Sequence, residues 1–298
     1  MNAEAHAPSK ARTDHQDSLK SQVRHCFEAT TADYKYWSKN LHMHFGVWRF
    51  GVNPLNLEKM LEEACLVVFE QFSRDRDASF DILDAGCGVG SSLGMARRYF
   101  ANARCYGINL VPDQVDQARA KLGSQGCHIS LNDFEATDFP DASFDVIFSI
   151  EAAVYGQGKD KQLYLAEMSR ILRPGGVLVV MDGYLTKPAP TMGRITSWIY
   201  RQVCRGWAIA EMIEKKPFVH AAQSNGLTLE RFRWLSLAIS PSVAHVPIAT
   251  ARYLWDSLAR KRRRSRDSIL HVISCVCGCL LGLQMHRFCY GMAVFRKR

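Results

Sequence analysis

Phe80-Asp-Ile-Leu-Asp-Ala-Gly-Cys-Gly-Val-Gly90 is the stretch whose reading decides the fold. Ile82 and Leu83 belong to a short apolar run of the kind a buried strand shows, and Asp84 ends it. Gly86, Gly88 and Gly90 follow at alternate positions, and Ser91 opens a helical pattern. Strand, glycine turn and helix together begin a nucleotide-binding α/β unit. Glycine suits the turn because a side chain would block a ligand lying against the backbone. Alone, Gly-x-Gly-x-Gly is a weak signal. A dinucleotide enzyme would place a further glycine at position 91, where Ser91 stands, and an acid after the second strand.

The following hundred residues strengthen the reading. Residues 103–109 read as a second strand, 127–131 as a third, 143–150 as a fourth and 177–181 as a fifth. Helical patterns at 91–100, 112–122 and 159–172 alternate with them, the second opened by Pro112 near its first turn. Arg173-Pro-Gly-Gly176 reads as a turn. The alternation predicts an α/β fold, a doubly wound, seven-stranded, mostly parallel sheet.

Upstream, residues 1–17 are polar, without the apolar core of a secretory signal, and read as a disordered tail. Residues 18–75 read as a helical and aromatic lid, with helices at 18–29 and 53–73 around Tyr34-Lys-Tyr-Trp-Ser-Lys-Asn-Leu-His-Met-His-Phe-Gly-Val-Trp48. That aromatic segment is either a pocket wall or a satellite hydrophobic cluster. His42 and His44 are two ligand types without a third, so no metal is expected. Residues 76–240 form the core, with a helical insertion near 187–213, a helix at 215–225 closed by Gly226 and a long strand at 227–239. Residues 241–285 read as a helical cap and 286–298 as the last strand.

The chain has 298 residues, is 47% apolar and carries a net charge of +9. The length supports one large domain with a core. The charge permits nucleic acid, an anionic membrane or acidic substrates. The basic run Arg260-Lys-Arg-Arg-Arg-Ser-Arg266 is short and lacks interleaved aromatics, so nucleic acid is not expected. Residues 269–285 are uncharged, but His271, Ser274, Gly278, Gly282 and Gln284 favour a cap helix over a membrane span. Contact with an anionic membrane surface through 260–285 stays open, as does a homo-oligomer. Ten cysteines without a Cys-x-x-Cys pair read as free thiols of a cytoplasmic protein. Cys275, Cys277 and Cys279 cannot all face one point on a helix and read as small core residues.

Five motifs together carry a family likeness: Leu83-Asp-Ala-Gly-Cys-Gly-Val-Gly90, Gly107-Ile-Asn-Leu-x-Pro-x-Gln114, Asp133, Phe144-Asp-Val and Leu172-Arg-Pro-Gly-Gly176. With them the chain resembles the class I S-adenosylmethionine-dependent methyltransferases. His-Met-His-Phe-Gly46, Gly-Ile-Asn-Leu110 and Ile150-Glu151 make it most similar to the branch of tocopherol, sterol and prenyl-diphosphate C-methyltransferases and cyclopropane-fatty-acid synthases. The resemblance implies S-adenosyl-L-methionine held by Asp84, Gly86, Cys87, Gly88, Gly90, Asn109, Leu110, Gln114, Asp133, Phe134 and Ile150. Asp84 would orient a water or the ammonium group, Asn109 the ribose hydroxyls, and Asp133 would accept from the adenine amino group. Phe134 would cover the ring.

Glu151 follows an apolar strand at its carboxyl end, where α/β sites lie. It could stabilise a cation and act as base, or hydrogen-bond the cofactor or loop backbone. With His44 and Tyr155 it forms the candidate catalytic set. Tyr34, Trp37, Phe45 and Trp207, with His44 and Tyr155, would line an aromatic substrate pocket suited to an apolar or cationic species. Three readings result: a methyltransferase of a lipophilic small molecule (isoprenoid, sterol or prenylated compound) that methylates carbon, as the resemblance implies; an N- or O-methyltransferase of a polar metabolite, with His44 as base; or a non-catalytic Rossmann-type binding protein.

Overall fold

The apolar run at 81–85 is a strand, as its sequence requires, and the rest of the sheet is assembled on it. The computed structural model describes residues 10–259 and 266–298. In chain order the elements are α1 Lys10–Thr30, α2 Leu57–Phe69, β1 Asp81–Ala85, α3 Ser91–Tyr99, β2 Arg104–Asn109, α4 Pro112–Leu122, β3 Cys127–Leu131, β4 Phe144–Ile150, α5 Gln162–Ile171, β5 Leu172–Leu185, α6 Arg194–Gly206, β6 Ile213–Glu214, α7 Lys215–Ser224, β7 Leu227–Trp234, α8 Ser236–Val243, α9 Val246–Ala259, α10 Arg266–Gly282 and β8 Phe288–Lys297.

The sheet runs β3-β2-β1-β4-β5-β8-β7, with the two-residue β6 beside the end of β5. The pairs from β3 to β5 are parallel, and β8 lies antiparallel between β5 and β7. Alternate residues serve opposite faces. Ile82, Val146, Phe148, Val179 and Met292 pack under α2, α3, α4 and α8. Leu83, Ile147, Leu178, Val180 and Ala293 pack under α5, α6, α7 and α10. A strand buried on both faces reads as a continuous apolar run, which is why β1, β4 and β5 were legible.

Four boundaries differ from the sequence reading. Residues 10–17, expected in a disordered tail, form the first turns of α1, where no proline interrupts Lys, Ala, Arg and Gln; residues 1–9 lie outside the described residues. The second lid helix is shorter than 53–73, because the Asn56 side chain caps it by accepting the Lys59 N–H at 3.1 Å. The Arg-Pro-Gly-Gly turn is a bulge inside β5: Phe144 pairs with Leu172, and Val146 with Val177. The strand expected over 227–239 ends at Trp234, and α8 follows. Leu235 and Ile239 are buried four residues apart on a helical face, which over a short run mimics alternation.

Phe148 sits at the centre of the first layer, edge-on to Phe69 at 5.9 Å and beside Phe72 at 5.7 Å. Phe148→Ala leaves a cavity there and is expected to destabilise the fold by about 3–5 kcal/mol, read as a lower urea midpoint at unchanged slope.

Candidate active site

The carboxyl ends of β1, β2 and β4 border a cavity of about 270 Å³. Gly86, Gly88, Asn109, Leu110, Gln114, Asp133, Phe134, Ile150 and Glu151 line its sheet side. Tyr34, Trp37, His44, Phe45, Tyr155 and Trp207 line it too, so the aromatic segment and the motif residues meet in one place. A recess of about 40 Å³ shares Met43, His44, Gly86, Gly88 and Ile150 with it and adds Asp84 and Cys87.

The glycine turn divides its labour. Gly86, Gly88 and Gly90 all have positive φ (104°, 53° and 82°), and the Gly86 and Cys87 N–H groups both donate to the Ile108 carbonyl. A Cβ on Gly88 would lie 3.4 Å from the Met43 sulfur, on the cavity side. Gly90 borders neither space. Its missing side chain is replaced by Leu122 Cδ1, 2.6 Å from where a Cβ would stand, so it packs α3 on α4.

Asp84 is buried, and its Oδ2 has no hydrogen-bond partner. Burial pushes its carboxyl up to about 8. Asn109 and Gln114 are held by the protein. Asn109 Nδ2 donates to Gln114 Oε1 at 2.6 Å, its Oδ1 accepts the Leu110 N–H, and Gln114 Nε2 donates to Thr31 Oγ1 at 2.7 Å. Asp133 Oδ1 accepts the Glu135 N–H, and its other oxygen is ion-paired with Lys20 of α1. Burial works against the Lys20 charge, but the hydrogen bond and charge of Asp133 outweigh it and raise its pKa. Thus α1 closes over the end of the cavity assigned to adenosine.

Glu151 occupies the left-handed region (φ 51°), uncommon for a residue with a side chain. Its Oε1 accepts the Phe45 N–H at 2.6 Å and the Tyr290 O–H at 2.6 Å. Among the described residues no donor reaches Oε2. Burial pushes this carboxyl up to about 8, although both hydrogen bonds oppose the shift. Tyr155 lies in a short helical turn after β4, its ring edge-on to Phe27 at 5.3 Å.

His44 borders the cavity but offers no free nitrogen. Its Nδ1 is 2.9 Å from the Phe45 carbonyl, and its Nε2 is 3.1 Å from His42 Nδ1 and 3.7 Å from the Cys65 sulfur. The fold therefore supplies the third ligand-type group that the sequence lacked: His42, His44 and Cys65 lie within 4.8 Å of one another. Burial holds all three neutral, with the imidazoles down to about 2 and 4 and the thiol up to about 12. Through these contacts the lid segment is tied to α2.

Tyr290 and Asp182 were missed by sequence reasoning. Tyr290 sits 139 residues from Glu151 in a strand without a local motif. Asp182 accepts N–H groups of Val154 and Gly183 at 3.0 and 2.7 Å, and burial pushes it up to about 7. A carboxylate at the end of a parallel strand was a signal that could have found it.

Residues 83–180 match the family model described as a methyltransferase domain. The chain carries a methyltransferase domain. It is 31% identical over 47% of its length to an ajmaline N-methyltransferase of Rauvolfia serpentina (50% of that protein), and 36% identical over 55% to a sterol 24-C-methyltransferase of Aspergillus fumigatus (42% of that protein). The chain spans about half the length of these curated relatives. A cyclopropane synthase structure from Mycobacterium tuberculosis superposes on 93% of the chain and 98% of its own, with a TM-score of 0.78 at 14% identity, which shows the class I fold. The cofactor of this domain is S-adenosylmethionine. The residues fit it: the unpartnered Asp84 carboxyl beside the glycine turn suits an ammonium group, and the aromatic walls suit a sulfonium.

Two outcomes follow. S-adenosylhomocysteine should raise the melting temperature of the chain, and Gly88→Val, which fills the cradle, should abolish that rise while the unliganded protein still melts cooperatively. Asp84 and Glu151, pushed up to about 8, hold protons in the cofactor-free fold that the unfolded chain has released, whereas His42 and His44, pushed down from 6.5, work the other way at lower pH, so stability should fall as pH rises from about 6.5 to 8. A bound cation favours both carboxylates, so affinity for S-adenosylmethionine should rise from pH 6 to 8. S-adenosylhomocysteine, lacking the sulfonium, should gain less. Calorimetric titration that finds a pH-independent ratio of the two affinities would contradict the placement of Glu151.

Proposed function

We propose that the protein is an S-adenosylmethionine-dependent methyltransferase of a lipophilic small molecule, an isoprenoid, sterol or prenylated compound, and that it methylates carbon. One observation carries this reading: Glu151 presents a buried carboxyl to an aromatic cavity, with Oε1 fixed by Phe45 and Tyr290. When bound, the cofactor supplies a methyl group already activated on a sulfonium. Attack needs alignment more than acid–base help, and the cavity walls provide alignment. Alkylation of an alkene leaves a carbocation. The rings of Tyr34, Trp37 and Phe45 line the cavity, and an aromatic lining suits such a charge. Glu151 Oε2 then takes the proton from the neighbouring carbon, which restores a double bond and leaves Glu151 neutral, the form its burial favours. Kinship with the sterol methyltransferase supports the substrate class, whereas the alkaloid relative supports an amine acceptor. The commitment of both His44 nitrogens argues against the amine route, which would use that ring as base.

The test is Glu151→Gln, which keeps shape and hydrogen bonding but removes basicity. In cells fed methionine labelled on its methyl group, the wild-type chain should label the lipid extract. With the labelled acceptor purified, the variant should lose about 10²–10⁴-fold in kcat, with affinity for S-adenosylhomocysteine, which lacks the sulfonium, little changed. Near-wild-type turnover would remove the carbocation role and favour an N- or O-acceptor.

A further inference from the structure

We infer that the outer face of the α6–α9–α10 cap docks on an anionic lipid surface, with the substrate cavity directly behind it. The inner faces of α9 and α10 wall the cavity through Val246, Tyr253, His271 and Cys275. Among the described residues nothing covers their outer faces. Ile269, Ile273, Val276 and Leu280 of α10 and Leu283 just beyond it recur at helical spacing and are all exposed, Leu283 to 77%. On α9, Ile248, Trp255 (76%) and Leu258 (67%) do the same. Helix α10 packs on α6 where Gly206 meets Ser274 and Gly278 meets Trp207. The outward stripe of α6 sets Trp198 among Arg194, Arg201 and Arg205.

Charge selects the occupant. Segments 187–210 and 241–285 hold eleven Lys and Arg against two Asp, an excess equal to the +9 of the whole chain. Of those two acids, Asp256 is turned inward onto Tyr36 at 2.5 Å. A second copy would bring the same positive face against itself, as a two-fold contact requires. Acidic headgroups over hydrocarbon match both the arginines and the apolar stripes, and tryptophan favours that boundary. Among the described residues no helix is long and apolar enough to cross a membrane, so the contact is peripheral. The basic run at 260–265 lies outside the described residues and adds charge to the same segment. The purpose of docking, delivery of a lipophilic acceptor, rests on the proposed function; the contact itself rests on the surface.

Flotation of the full chain with phosphatidylcholine vesicles, with and without phosphatidylglycerol, tests this. Binding is expected to the mixed vesicles, to weaken with salt, and to be slight on phosphatidylcholine alone. Arg201→Gln and Arg205→Gln should each weaken it roughly fivefold. Trp255→Ser with Leu283→Ser should abolish it while keeping the thermal shift with S-adenosylhomocysteine, which verifies folding. No flotation by wild-type chain that still gives that shift would overturn the inference, as would a dimer in sedimentation equilibrium that Trp255→Glu splits. If flotation persists while label reaches only water-soluble acceptors, the docking stands and the lipophilic-substrate reading falls.

Discussion

The contact at Glu151 Oε1 ties together three parts of the chain that have no local reason to meet. The Phe45 N–H comes from the segment ahead of the sheet and the Tyr290 O–H from its last strand, 106 and 139 residues away. Both bonds are 2.6 Å long and partly buried, where an unmade hydrogen bond to a carboxyl would cost about 1–3 kcal/mol. The left-handed backbone at Glu151 turns the chain out of β4 at the point where these donors wait. Lid, sheet and final strand therefore close as one unit, and the cavity exists because they do. Deleting the carboxyl would release the lid as well as remove a base, which is why the isosteric amide separates the two roles.

Lys161 plays the matching part beneath the site. It is fully buried, and its ammonium donates to the carbonyls of Val154, Gly156 and Glu211 at 2.7–2.9 Å. Burial lowers its pKa to about 8, against the pull of Asp182, Glu211 and Glu135. Carbonyls fastened to one cation hold the turn that carries Ala153 to Tyr155, so the cavity wall after β4 is fixed in place.

How much of this was legible depends on the range of each interaction. The glycine turn, β1, β4 and the helices between them obey local rules of burial and backbone freedom, and the sequence displayed them. The same short motif placed Asp84, Gly86 and Gly88 together at the end of β1, where they border the cavity and its recess. Gly90 was legible as a glycine but not as a packing residue, since Leu122, which fills its place, lies a helix away. The partners of His44 were not legible: Cys65 reaches it only once α2 folds back over the segment. Tyr290 had no motif at all. Its place is fixed by the antiparallel insertion of β8 between β5 and β7, a matter of topology. The 227–239 stretch failed for the opposite reason, because over so few residues Leu235 and Ile239 satisfy both a strand and a helix.

Electrostatics joins the two ends of the molecule. Asp84, Glu151 and Asp182 are three buried carboxyls close to one cavity, each pushed up to between about 7 and 8 by burial. Coulombic repulsion from Asp182 adds to the shift at Glu151. Burying that many acids near neutrality is unfavourable for a resting fold and favourable for one completed by a cation. A cofactor with an ammonium and a sulfonium offers two positive charges to such a site, and each draws a nearby carboxyl into its ionised form. The interior is thus built to receive positive charge, while Arg194, Arg201 and Arg205 of the cap are exposed on its outside. Acidic inside and basic outside, with aromatic walls between, is an arrangement that holds a charged cofactor and rests on a negatively charged surface. An apolar acceptor passing from that surface would meet aromatic rings and the Glu151 carboxyl in one cavity.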